Sequence, residues 1–175
     1  MRKYQVLLSC PPLLGMLPEF MADFAACDMQ VEAPALVQVL SEEELIARLP
    51  HCDGWIIGDD PASRAVLTAG AAGRLKAAVK WGIGIDNVDV AAARELGLGF
   101  INTPDMFGEE VADYAMAYVT GLARELFVVD RGVRAGAWPK PAGMSLQGKT
   151  VGLVGYGSIG RATARRLLAA GLTLL

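Results

Sequence analysis

Apolar residues fall along the first hundred positions in short blocks separated by turn residues, and the blocks alternate between two spacings. Residues 4–9, with the apolar run 6–8 at their centre, read as a strand ending at Pro11-Pro12, and residues 14–26 place apolar side chains at helical spacing. Ser41 followed by Glu44 is a capping-box pattern, with Leu45, Ile46 and Leu49 as the apolar face of the helix it opens. Trp55-Ile56-Ile57 centre a strand over 54–58, followed by the turn Asp59-Asp60-Pro61. A helix over 64–72, a strand over 77–81, a helix over 89–96 stopped by Gly97, and a strand over 99–102 closed by Thr103-Pro104 complete the series. Strands apolar on both faces and alternating with helices predict a doubly wound α/β lobe, a parallel sheet covered on both sides.

The pattern then changes. From Gly108 to about Val133, Val111, Tyr114, Ala115, Tyr118, Val119, Leu122, Leu126 and Val129 keep helical spacing, which predicts one helix of about 25 residues and about 37 Å. Residues 134–148 are rich in Gly and Pro and read as a loop. A second α/β unit opens at Lys149, with a buried strand over 151–154, the turn Gly155-Tyr156-Gly157-Ser158-Ile159-Gly160, and a helix over 161–170. This is GxGxxG in strand-turn-helix context. Gly155 permits the tight turn, Gly157 lets a pyrophosphate approach the backbone, and Gly160 lets the helix pack on the strand, whose partner helix offers free amides to phosphate. These six residues are the candidate dinucleotide site. A dinucleotide unit also needs an acid for the adenine ribose about 20 residues beyond the glycines. Only fifteen residues follow Gly160, and none of them is acidic.

Composition narrows the classes of partner. The 175 residues are 53% hydrophobic and 20% charged, which excludes intrinsic disorder. A net charge of -3 gives no field for nucleic acid or an anionic membrane, although residues 131–175 hold seven Lys/Arg and no acid. No apolar run approaches the roughly 18 residues of a membrane helix. The basic Arg2-Lys3 start resembles a leader, but the apolar run behind it is too short and Pro11-Pro12 breaks it, so a buried strand is the reading. Cys10, Cys27 and Cys52, with no CxxC pair, are expected as buried thiols of a cytoplasmic protein. A single histidine, His51, excludes a histidine-clustered metal site, and no metal is expected. Its place in Leu49-Pro-His-Cys52 is that of a surface or cap residue.

Three blocks together carry a family resemblance: Trp81-Gly-Ile-Gly-Ile-Asp-Asn-Val-Asp89, Asn102-Thr-Pro104 with Glu110-Val-Ala-Asp-Tyr114, and the run from Gly148 to Gly160. In order and spacing they resemble the D-isomer-specific 2-hydroxyacid dehydrogenases, particularly the phosphoglycerate dehydrogenase-like branch. The resemblance implies a flavodoxin-like substrate domain over 1–103, a long interdomain helix and loop over 104–147, and the incomplete start of a Rossmann domain over 148–175. It implies hydride transfer between a nicotinamide, NAD or NADP, and C2 of a 2-hydroxy or 2-keto acid, with the cofactor in the cleft between the domains. The loop Gly82-Ile83-Gly84 would then give backbone N–H groups to the substrate carboxylate, as an anion-binding nest does. The family's histidine, its orienting carboxylate and its arginine have no matching position here, so the chain is expected to look truncated and to be inert alone.

Two departures qualify this. Where many relatives carry a basic residue after the third strand, Asp59-Asp60 stand here, which would repel a phosphorylated substrate unless Arg64 reaches in. Phe107 stands where relatives often have asparagine, which puts a polar hinge in doubt. Two other readings remain: an NAD(H)-sensing relative without activity, and a stand-alone flavodoxin-like binding module, although a receiver domain would need acids where Ser9-Cys10-Pro11-Pro12 stand. The open strand edge at Leu172 and the apolar helix face of Ile159, Ala162, Leu167 and Leu168 point to a homodimer or a swapped assembly.

Overall fold

The apolar blocks become strands where their residues are apolar on both faces. In the computed structural model, which describes residues 3–35 and 38–175, the order is β1 (Tyr4–Leu8), α1 (Pro11–Ala26), β2 (Met29–Glu32), α2 (Glu42–Arg48), β3 (Gly54–Ile57), α3 (Arg64–Ala72), β4 (Ala77–Lys80), α4 (Val90–Glu95) and β5 (Gly99–Asn102). There follow α5 (Gly108–Ala123), α6 (Leu126–Arg134), β6 (Thr150–Val151), α7 (Ser158–Ala169) and β7 (Thr173–Leu174). Arg2, invoked in the leader pattern, lies outside the described residues. The chain divides into two units, Met1–Pro104 and Asp105–Leu175.

In the first unit five parallel strands take the order β2-β1-β3-β4-β5, that of a flavodoxin-like doubly wound sheet. Alternation along each strand supplies two cores. Leu7, Trp55 and Ile57 point into a cluster with Leu45, Leu49, Val66, Leu67 and Leu75, from α2, α3 and the turns beside them. Leu8 and Ile56, one position away, point to the other face, where Leu13, Leu17 and Phe20 of α1 meet them. Burying such a side chain contributes about 1.5–3 kcal/mol, so the two-sided pattern is what holds the lobe together. The Ser41–Glu44 capping box forms as expected: Ser41 Oγ accepts from the Glu44 amide at 3.2 Å, and Glu44 Oε2 accepts from the Ser41 amide at 2.9 Å. Gly97, at φ +70, ends α4 in the left-handed conformation its position called for.

Three local expectations change. α1 starts at Pro11 rather than residue 14, since proline in the first turn loses no helical hydrogen bond. The edge strand β2, paired with β1 from Tyr4↔Met29 to Leu7↔Glu32, had no apolar run to announce it. Cys27 is exposed, at the end of α1, whereas Cys10 and Cys52 are buried. Burial, and secondarily the Glu32 carboxylate, pushes the Cys52 thiol up to about 11.

In the second unit the 108–133 stretch is helical but in two pieces. Glu125 sits at φ +54 between α5 and α6, and the Ala123 carbonyl, which a continuous helix would give to residue 127, accepts instead from the Met144 amide at 2.6 Å. The turn lays Phe127 over Gly121, where a Cβ would come within 2.6 Å of the ring, and places it beside Tyr118 at 6.3 Å between ring centres. The expected buried strand over 151–154 is also shorter. β6 covers Thr150–Val151 and pairs only with β7 among the described residues, and Val154 is fully exposed, because a strand flanked on one side has little to bury against. The expected bare face of α7 is largely covered instead: Ala162 and Leu167 are buried as α7 packs on α5, while Leu168 stays exposed. Arg165 and Arg166 bond Glu109 across the same helix pair, and Arg166 also bonds Asp113 at 2.7 Å. The Arg166 and Arg165 guanidiniums hold the Glu109 carboxyl below the usual carboxylate range.

Candidate functional site

In a doubly wound sheet the ligand crevice opens at the carboxyl ends of the strands where strand order reverses, here between β1 and β3. In this chain that crevice is filled. Asp60, fully buried, takes the Leu40 amide on Oδ1 at 2.8 Å, and on Oδ2 the Ser9 hydroxyl at 2.6 Å and the Gly58 amide at 3.1 Å. Ser9 Oγ in turn accepts from Trp55 Nε1 at 2.8 Å. Of the two acids, Asp59 and Asp60, that the sequence set beside the substrate, Asp60 is therefore a structural hub.

The open cleft lies one strand over, at the ends of β3 and β4. It has a volume of about 370 Å³ and is lined by Asp59, Lys80, Trp81, Gly82, Gly84, Asp86 and Asn87. Lys80 closes β4 with only 5% of its surface exposed, and its Nζ donates to the Gly58 carbonyl and, at 3.0 Å, to Asp59 Oδ1. Asn87 Nδ2 ties the two strand ends together by donating to the Asp60 carbonyl at 2.7 Å and the Gly58 carbonyl at 3.3 Å. Arg64 does not reach in; it pairs with Glu95 at 2.7 Å and lies 3.7 Å from Asp89.

The three loop residues singled out from sequence are not equivalent. The Gly82 amide is engaged by Thr103 Oγ1 at 2.9 Å and the Lys80 carbonyl at 3.0 Å. The Ile83 and Gly84 amides have no acceptor among the described residues, and Asn102 Nδ2 fixes the loop by donating to the Ile83 carbonyl at 2.8 Å. Two adjacent free amides on a pinned loop can receive a carboxylate. Lys80 was missed from sequence, although one lysine in the apolar strand Ala77-Ala-Val-Lys80 was a signal that its charge had a fixed partner.

The turn at 155–160 is the second candidate, and its backbone has the shape to receive an anion. Gly155 stands at φ +97, and a Cβ on Gly160 would lie 2.2 Å from the Gly155 carbonyl oxygen, so each glycine is demanded by the backbone itself. A Cβ on Gly157 would meet nothing within 4 Å, which leaves the approach to the turn open. α2, α3 and α4 are capped by Ser41, Ser63 and Asp89, whereas α7, like α1, α5 and α6, has no side-chain cap, and of these four only α7 starts at a glycine turn of this kind. The Ser158, Ile159 and Gly160 amides thus have no acceptor among the described residues, at the positive end of the helix dipole. Ser158 Oγ is buried toward Gly108, without a partner among the described residues, so its amide rather than its hydroxyl faces the turn. Tyr156 is exposed at the tip. At α5, Phe107 is the N-cap and offers no side-chain hydrogen bond. His51 is exposed in the short turn after α2 and does not line the cleft.

The sequence profile of the D-isomer specific 2-hydroxyacid dehydrogenase catalytic domain matches residues 13–172. The chain belongs to that family. It is 36% identical over 138 residues to D-3-phosphoglycerate dehydrogenase 3, chloroplastic, of Arabidopsis thaliana, covering 78% of this chain and 24% of that one. To the hydroxypyruvate reductase of Thermotoga maritima it is 35% identical over 139 residues, covering 78% of this chain and 45% of that one. Among solved structures, a Polaromonas sp. JS6 66 protein assigned as a D-isomer specific 2-hydroxyacid dehydrogenase, NAD-binding, superposes with a TM-score of 0.84 at 27% identity, over 98% of this chain and 54% of that one. The chain thus spans about half or less of the length of the relatives it matches. No helix among the described residues is long and apolar enough to cross a membrane.

Proposed function

We propose that these 175 residues provide the acid-binding cleft and the pyrophosphate turn of a nicotinamide-dependent 2-hydroxyacid dehydrogenase. The observation that carries the reading is the uncapped N-terminus of α7 behind Gly155-Tyr-Gly-Ser-Ile-Gly160, whose backbone is closed by Gly160 and open at Gly157. The Ser158, Ile159 and Gly160 amides would hold the diphosphate of NAD or NADP, and the bound nicotinamide would supply or accept the hydride. The Ile83 and Gly84 amides receive the carboxylate of a 2-hydroxy or 2-keto acid. Lys80 fixes the strand ends that carry this loop, and Asn87 braces them. Residues 1–103 form the substrate lobe, 104–147 the connecting helices and loop, and 148–175 the start of the nucleotide lobe.

A dehydrogenase of this kind also needs a group near neutral pKa to move the proton at C2. The one histidine of the 175 residues, His51, is outside the cleft, so these residues bind but do not turn over. The expected result is weak, millimolar-range binding of NADH by fluorescence with no oxidation of it in the presence of glyoxylate or hydroxypyruvate. Turnover by this chain would contradict the division of labour, and no binding would contradict the turn.

Self-association belongs to the same reading. Tyr114, Tyr118, Leu122, Leu126 and Phe127 leave an exposed apolar surface along α5 and α6, and the β6–β7 pair has open edges. A second copy of the chain is the partner proposed, and light scattering at high protein concentration is expected to give a dimer; a monomer throughout would contradict it.

A further inference from the structure

Resting on the acid-site reading of the cleft at the ends of β3 and β4, we infer that its substrate is a small 2-hydroxy or 2-keto acid whose remaining substituent carries no phosphate. Every cation that faces the cleft among the described residues already has an anionic partner. Lys80 gives its Nζ to the Gly58 carbonyl and to Asp59, and it is 5% exposed, so its charge is neutralised where it stands. Arg64, which lines the adjoining hollow with Asp59, Asp86 and Asp89, is held outward by Glu95 and Asp89. Against these, Asp59 and Asp86 both line the cleft, and both are exposed.

The substrate's carboxylate is a single negative charge and has a place prepared for it, the free amides of Ile83 and Gly84. A phosphate ester adds about 1.5 to 2 further negative charges at neutral pH, and needs cations or a second set of amides to receive them. The charged side chains that line the cleft, Lys80, Asp59 and Asp86, instead sum to one net negative charge, which repels a like charge brought beside it. An uncharged hydroxyl in the same position could donate to Asp59, whose side chain is 69% exposed beyond its contact with Lys80. Thus the one cleft would accept glycerate, lactate or hydroxypyruvate and discriminate against their phosphorylated counterparts.

The test is an amide-resolved NMR titration of the 175-residue chain with D-glycerate and, separately, with D-3-phosphoglycerate, reading the Ile83 and Gly84 amides. D-glycerate is expected to shift both signals, with D-3-phosphoglycerate about tenfold or more weaker. Asp59→Asn and, independently, Asp86→Asn are each expected to narrow that gap by strengthening the phosphorylated ligand, with the Asp86 variant free of any effect on the Lys80 pair. Equal or tighter binding of D-3-phosphoglycerate by the unmodified chain, or a gap that neither variant changes, overturns the inference while leaving the acid site standing. If neither ligand moves the Ile83 and Gly84 amides, the acid site itself falls, and the inference with it.

Discussion

Replacing Asp60 by alanine is expected to destabilise the first unit by about 3 kcal/mol or more, a loss of about 10 °C or more in thermal midpoint. Three donors converge on this fully buried carboxylate, the Leu40 and Gly58 amides and the Ser9 hydroxyl. Each donor left buried without a partner costs about 1–3 kcal/mol, and a domain has only about 5–15 kcal/mol in all. Asp60→Asn separates hydrogen bonding from shape. Its amide keeps the volume but sets an NH2 against at least one N–H, so it should lose nearly as much as alanine. Urea denaturation of the three proteins decides the point: an Asp60→Ala variant within about 0.5 kcal/mol of the parent would mean that Asp60 is not the hub of the crevice.

The second large effect is at the glycine turn, where two single-methyl changes should behave oppositely. In Gly160→Ala the added Cβ would lie 2.2 Å from the Gly155 oxygen, a backbone atom that no side-chain rotation relieves. The turn must open and carry the first amides of α7 with it, so both the stability of the second unit and nucleotide binding should fall, the latter about tenfold or more. In Gly157→Ala the Cβ meets nothing within 4 Å and the residue keeps φ -75, which alanine adopts freely. The fold should be unchanged or slightly more stable, yet the diphosphate would meet a methyl group where the backbone was bare. Parallel melting curves and NADH titrations check the pair. Equal binding by Gly157→Ala and the parent would contradict the approach assigned to that glycine.

How much was legible beforehand depended on where the determining atoms lie. β1, β3, β4 and β5 could be read because each strand is apolar on the faces it buries, and α3 because residues 64–72 keep a helical pattern after the Asp59-Asp60-Pro61 turn. The turn at 155–160 was readable because its requirements are backbone ones, written directly as glycines. β2 was not: as an edge strand it needs no apolar run, and Met29-Gln-Val-Glu32 has none. The break between α5 and α6 could not be seen in the periodicity, since it depends on the Ala123 carbonyl being taken by Met144 from a distant loop. In the cleft, sequence placed Gly82, Ile83 and Gly84 together but could not tell that Thr103 occupies one amide and leaves two. Likewise it gave Asp59 and Asp60 equal standing, when burial makes one a structural acceptor and leaves the other on the rim.

The most direct test of the central claim, that the chain brings a dinucleotide to the α7 amides, is its amide NMR spectrum during titration with NADH. The prediction is saturable shifts concentrated at the amides of residues 156–160, with those of Ile83 and Gly84 unmoved and the pattern lost in Gly157→Ala. No shift at residues 156–160, or equal shifts in the Gly157→Ala protein, would contradict it.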